Sequence, residues 1–374
     1  MLAGGRLTID LDAIASNWLF LKNTLKSGTE CAATIKADGY GTGAVLVAQR
    51  LWQEGCKTFC VALPEEGLAV RAALPDATIY ILGGLFTGAA EVYEQANLRP
   101  ALISLEDLTE WAGYCSNVGR KLPAAIHIDS GMSRTGLSPE DFATAMADST
   151  LAGAFEPCLL MTHLACGSEP DHPMNKAQLA AFHAATDAYA HIPRSMSNSA
   201  GVFLGEDYHF DLARPGISLY GGKAVDTVPN PMAPVVKVEA RIMMVRDVAK
   251  GSAIGYAAAA TAKQDLKVAV VAAGYADGMH RRAGSTDERE GAFGWVSGHK
   301  VPLIGRISMD MMAIDVTNVP ESIAKRGAFV EILGPNVAAS DVAAYAETID
   351  YEYLTGLGKR YHRFYEPLPA PDQS

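Results

Sequence analysis

The chain has 374 residues, 49% of them hydrophobic and 20% charged, with a formal net charge of −11. That is enough apolar material for a large core divided between two domains, and the acidic residues are scattered, which argues against a nucleic-acid groove. MLAGGRLTID lacks a cationic segment followed by an apolar run, and no stretch of about 18 uncharged apolar residues occurs, so a cytoplasmic protein without a membrane span is expected.

Six cysteines, at 31, 56, 60, 115, 158 and 166, show no metal-ligand spacing beyond Cys56 and Cys60, which lack a second pair. Reduced buried thiols and no metal are the expectation.

From residue 31 to about 216, short β-prone runs alternate with stretches of helical period, the pattern of βα units in a parallel sheet. In chain order the runs are CAATIKA (31–37), TFCVAL (58–63), TIYILGG (78–84), ALISL (101–105), AAIHID (124–129), CLLMTH (158–163), SMSNS (195–199) and HFDLARPG (209–216). Between them, segments such as AVLVAQRLWQEG and AQLAAFHAATDAYA repeat apolar residues every three or four positions. Eight such units predict an α/β fold with an eight-stranded (β/α)8 TIM-like barrel over 11–230. Past the proline-rich PNPMAP, long helical periods largely give way to β-rich runs such as VVKVEARIMMV, KVAVVAAGY and AFVEIL. A mainly β domain is expected over 231–374, with RLTID, in residues 1–10, joining it as a strand.

Eight-stranded α/β barrels gather their chemistry at the C-terminal ends of strands. Lys36, His163, Asn198, Ser199 and Arg214 fall there, and Arg134 follows the fifth run in DSGMSRTG. A lysine ending an apolar strand is partly desolvated, which lowers its pKa and makes it a Schiff-base amine; the alternative is a structural lysine. Ser199 and the turn RPGI (214–217) follow the seventh and eighth runs, where barrels bind phosphate through amides and hydroxyls, and Gly216 lets the backbone approach the anion. Together with Lys36 they predict a phosphate-bearing aldehyde cofactor.

ATIKADGYGTG (33–43) resembles the pyridoxal-lysine motif of bacterial alanine racemases. Similar stretches are IDLDAIASN (9–17), DSGMSRTG (129–136), MTH (161–163), SNSA (197–200), RPGISLYG (214–221), IGYA (254–257), GYADG (274–278), GRISMD (305–310) and TIDYEYLTGLGKRY (348–361), in the family's order. The resemblance implies racemisation of L- and D-alanine with pyridoxal 5'-phosphate, supplying D-alanine for peptidoglycan. It also implies a head-to-tail homodimer with shared active sites and a small amino acid as substrate. Lys36 would carry the cofactor, Arg214 would face its pyridine nitrogen, and Tyr40, Asn198, Ser199, Gly216, Ile217 and Tyr351 would surround the rest of it. Tyr256 would be the second base, activated by His163. Arg134 would contact the cofactor's phenolic oxygen as well as the substrate carboxylate, and His163 would also lie among the cofactor-binding residues; Met309 and Tyr275 would meet the substrate, and Arg281 and Asp310 would line its access passage.

Two departures matter. Where much of the family has a carbamylated lysine two residues before the DSG aspartate, this chain has His127, so Arg134 must be steadied by another group, a bound anion, or less firmly; Ser308 stands where many relatives have cysteine. The resemblance leaves a broad-specificity or serine-preferring racemase as the alternative substrate reading. A decarboxylase fits the two tyrosine motifs poorly, and a non-catalytic barrel relative would lack the β domain.

Overall fold

The alternation of apolar runs and helical stretches becomes, in a computed structural model that describes residues 4–367, a curled parallel sheet wrapped by helices. One unit takes residues 14–219 and 223–232; the other takes 4–13, 220–222 and the described residues from 233 onward. In the first, seven parallel strands follow chain order: Ala33–Thr34, Thr58–Val61, Thr78–Ile81, Arg99–Leu102, Pro123–His127, Glu156–Met161 and Arg194–Ser195. Phe59 lies opposite Ile79, Ile126 opposite Leu160 and Met161 opposite Ser195.

A separate parallel pair joins Leu212–Ala213 to Glu30–Cys31. Beyond it, the Ala32 and Thr34 N–H groups donate to Ala213 O and Pro215 O at 2.9 Å, and Arg214 N–H donates to Ser197 O at 2.8 Å. Ala32, Cys60, Tyr80, Ala101, Ala125, Leu159, Met161 and Leu212 pack as one buried layer. Alanines beside Tyr80 and Met161 let large and small side chains share a narrow interior. The helices bury one apolar face each: Leu105–Val118 buries Leu108, Trp111, Ala112 and Cys115, starts on the Ser104 hydroxyl cap and stops at left-handed Gly119.

The strands are shorter than the apolar runs. CAATIKA breaks at Ala32 and ends before Lys36, SMSNS contributes only its first residue to Arg194–Ser195, and HFDLARPG keeps Leu212–Ala213. The residues beyond those points leave the ladder and become the loops that carry the polar side chains.

In the second unit, one eight-stranded sheet runs in the order Leu266–Val271, Met312–Asp315, His299–Ile304, Phe293–Val296, Phe329–Leu333, Val236–Val248, Gly5–Asp10, His362–Glu366. The far half of Val236–Val248 also pairs with Leu266–Val271, which closes an antiparallel barrel. Gly5–Asp10 runs antiparallel to Val236–Val248, with Leu7 opposite Val238, and alternates so that Leu7 and Ile9 are fully buried. The helices Ala339–Ala346 and Asp350–Thr355 and the strand His362–Glu366 had no counterpart in the reading of the sequence. Among the described residues, no helix is long and apolar enough to cross a membrane.

Candidate active site

Lys36 opens an unusual turn. Ala37, Asp38, Gly39, Tyr40 and Gly41 all have positive φ, between 53° and 82°, a left-handed run that costs non-glycine residues about 1–2 kcal/mol each. The run is held from several sides. Gly39 N–H donates to Ile35 O and Gly41 N–H to Ala37 O, both at 2.9 Å; Ala37 N–H donates to Glu66 Oε1 at 2.6 Å, and Asp38 Oδ1 accepts from Ala44 N–H at 3.0 Å. Lys36 is half-buried, and desolvation followed by the charge of Arg134 holds its ammonium below the ordinary lysine range, against the pull of Glu66.

The turn carries Tyr40 toward a second feature. A Cβ built on Gly216 would overlap the Tyr40 hydroxyl, so only glycine fits there. The Ser199 hydroxyl oxygen accepts from Gly216 N–H at 2.8 Å and Ser218 N–H at 3.3 Å, while the buried Ser218 hydroxyl has no partner among the described residues. Ile217 is buried, so its side chain belongs to the core. Arg214 is 5% exposed; it donates to the Ser195 hydroxyl and, at 2.6 Å, to Thr162 O, and burial brings it down to about 10, still cationic at neutral pH. The Asn198 side-chain oxygen accepts Gly201 N–H at 3.0 Å, bracing its own loop.

Two histidines complete this cation-rich end. Burial, then Arg214 and Arg134, pushes His127 down to about 4, and its Nδ1 lies 3.4 Å from the Thr135 hydroxyl. Burial and the same arginines push His163 well below its ordinary value, so both rings are neutral at pH 7. The exposed Arg134 guanidinium makes no hydrogen bond among the described residues, yet its loop is fixed at the main chain. Asp129 does this: its carboxylate accepts the N–H groups of Gly131 and Met132 at 2.9 Å and of Ser133 at 3.0 Å. Buried Gln178 accepts Ala165 N–H at 2.9 Å and donates to His163 O at 2.9 Å and Ser130 Oγ at 3.2 Å.

The sequence reading did not single out Glu66, Asp129 or Gln178. An aspartate opening DSGM has the signature of an Asx turn, which could have exposed Asp129; Gln178, inside a helix, carries no local signal.

The second unit holds the remaining candidates. Tyr256 is 68% exposed and lines a cavity of about 710 Å³ together with Arg246, Arg306, Ser308 and Met311. Tyr275 N–H donates to Ser308 O and Ala276 N–H to Met309 O, both at 3.0 Å, and a Cβ on Gly274 would overlap those carbonyls. GYADG and GRISMD are therefore pinned together. Met309 is 53% exposed, and its N–H donates to no atom among the described residues. The Ser308 hydroxyl closes a turn on Met311 O at 2.6 Å, Arg281 is exposed, Asp310 pairs with Arg360 at 2.7 Å, and Tyr351 sits in the first turn of Asp350–Thr355.

Residues 9–224 match the family model described as "Alanine racemase, N-terminal domain" and residues 235–365 the one described as "Alanine racemase, C-terminal domain". The chain belongs to the alanine racemase family. It is 45% identical over 360 residues to the alanine racemase of Rhodospirillum rubrum, covering 96% of this chain and 95% of that one, and 45% identical over 369 residues to that of Rhizobium meliloti, covering 97% of each. A crystal structure of alanine racemase from Bartonella henselae, with covalently bound pyridoxal phosphate, superposes with a TM-score of 0.91 at 37% identity, over 97% of this chain and 99% of that one. Alanine racemases are isomerases, and so is this chain.

Proposed function

We propose that the chain interconverts L- and D-alanine by a two-base mechanism, with Lys36 and Tyr256 acting on opposite faces of the substrate, and so supplies D-alanine for peptidoglycan. Pyridoxal phosphate is the cofactor, and when bound it supplies the electron sink that acidifies the substrate's α-hydrogen. The observation that carries this reading is Lys36, its ammonium destabilised, at a strand end in the unit that also builds the Ser199–Gly216 turn and buries the cation Arg214.

The residues present suit such a group. The Ser199 and Ser218 hydroxyls, Ile217 N–H and Tyr40 offer donors for a phosphate that the Gly216 backbone can approach closely, and the resemblance adds Asn198 and Tyr351. Arg214 presents a lasting cation to a ring nitrogen, which keeps the sink weak and favours rapid return of the proton over side reactions. Lys36, readily neutral, takes or returns the proton on one face. Tyr256 does so on the other; its phenol must be activated, and the resemblance pairs it with His163, whose neutral ring can accept a hydrogen bond. Arg134 and the Met309 N–H hold the substrate carboxylate beside Tyr275, and Arg281 and Asp310 line the passage.

On this reading Glu30 to Thr34 is one strand, its main-chain bonds to 211–215 close an eight-stranded parallel barrel over 11–230, and 231–374 with 1–10 form the β domain. A chiral assay on purified protein should show equilibration of either alanine enantiomer, faster than of serine. Borohydride should fix the cofactor to Lys36, and Lys36→Ala should lower kcat about a thousandfold or more. Fixation at another lysine, or serine as the better substrate, would overturn the corresponding part of the proposal.

A further inference from the structure

Arg360 lies outside every role assigned above, yet it binds two carboxylates on two different loops. Its Nε and Nη2 each donate to an oxygen of Asp277 at 2.7 Å, a bidentate pairing, and its Nη1 donates to Asp310 Oδ1 at 2.7 Å. Asp277 is only 5% exposed; its Oδ2 also accepts Gly274 N–H at 2.8 Å, and its carbonyl accepts Gly358 N–H at 3.1 Å. Asp310 directly follows Met309, and Asp277 comes two residues after Tyr275. The guanidinium therefore closes a ring of bonds whose other links are Tyr275 N–H to Ser308 O and Ala276 N–H to Met309 O. Without a cation between them, two carboxylates in this arrangement repel, and the segments 274–278 and 305–310 lose the side-chain bridge that supplements their main-chain bonds.

We propose that Arg360 is a positioning residue for recognition of the substrate carboxylate: it holds the Tyr275 turn and the Met309 N–H in register. The inference rests on the alanine-racemase reading given above. A hydrogen-bond donor aimed at a carboxylate in ground state and transition state alike contributes uniform binding, so its misplacement shows in KM rather than kcat. Arg360 is half exposed but its partner Asp277 is buried, so Arg360→Ala leaves a carboxylate without its cation and lowers stability, whereas Arg360→Lys keeps a positive charge beside it.

The test is steady-state kinetics in both directions on the holoenzyme with Arg360→Ala. KM for each alanine enantiomer should rise about tenfold and kcat should stay within about threefold, while the melting temperature falls because buried Asp277 loses its cation. Arg360→Lys, a point charge that serves one carboxylate but not both, should fall between. Guanidinium at tens of millimolar should lower KM of Arg360→Ala and leave that of the unmodified protein alone. An unchanged KM in both variants, or a KM rise only in step with an equal loss of kcat and without guanidinium rescue, would overturn the inference alone. Failure of the unmodified protein to racemise alanine would overturn the functional reading and this inference with it.

Discussion

His127 sets a pH limit that follows from its surroundings. Folded, it resists protonation down to about 4 because burial and the charges of Arg214 and Arg134 oppose a cation there; unfolded, it titrates near 6.5. Between those values the unfolded chain binds more protons, so stability is full above pH 6.5 and is lost as pH falls toward 4. The 7%-exposed ring alone accounts for about 3 kcal/mol across that window, and His163 shifts in the same direction. Denaturant unfolding at pH 7 and pH 4.5 should show the drop, and in His127→Gln it should be smaller by about 2–3 kcal/mol. An equal drop in both proteins would show that the ring is protonated in the folded state as easily as in water.

The same neighbourhood shows what single residues reveal in a sequence. The placement of Lys36 just past a strand and of Ser199 and Gly216 in adjoining loops was legible because strand ends and turns are local patterns. The supports were not, because their bonds join distant positions: Glu66 reaches Ala37 across 29 residues and Gln178 reaches Ser130 across 48. The left-handed run after Lys36 was half written in ADGYG, whose two glycines permit it; Ala37, Asp38 and Tyr40 adopt it only because their neighbours enforce it.

At the level of elements, alternation of period gave the βα units, and the strand lengths came out shorter than the apolar runs because burial extends past the hydrogen-bonded ladder. The helix Asp350–Thr355 escaped notice since AETIDYEYLTG mixes polar and apolar residues without a clear stripe. The interior layer gives a sharper test. Ala125 is fully buried among Ala101, Leu159 and Tyr80, so Ala125→Leu forces added volume into a closed space. Such overpacking costs about 1–3 kcal/mol, which a fall in the denaturant midpoint should reveal. Unchanged stability would mean the layer encloses a void instead of a packed core.

At the level of the whole molecule, a single chain leaves Tyr256 and Met309 mostly exposed, with Tyr275 and Met311 at 44% and 39%, more apolar and aromatic surface in one unit than scattered exposure requires. On the proposed reading, a two-fold homodimer that sets Tyr256 of one chain opposite Lys36 of the other would cover that surface and make the site twice. Lys36→Ala and Tyr256→Phe should each be nearly inactive alone, the first without the cofactor's anchor, the second without the proton carrier on one face. Mixed by subunit exchange, they should recover activity. In a mixed dimer one site combines both defects, while the other pairs an intact Lys36 with an intact Tyr256. Random equal mixing makes about half the dimers mixed, each with one good site of two, so recovery should approach roughly a quarter of the unmodified activity. If exchange is demonstrated by a mass-tagged chain and no activity returns, Lys36 and Tyr256 act within one chain, and the shared site is wrong.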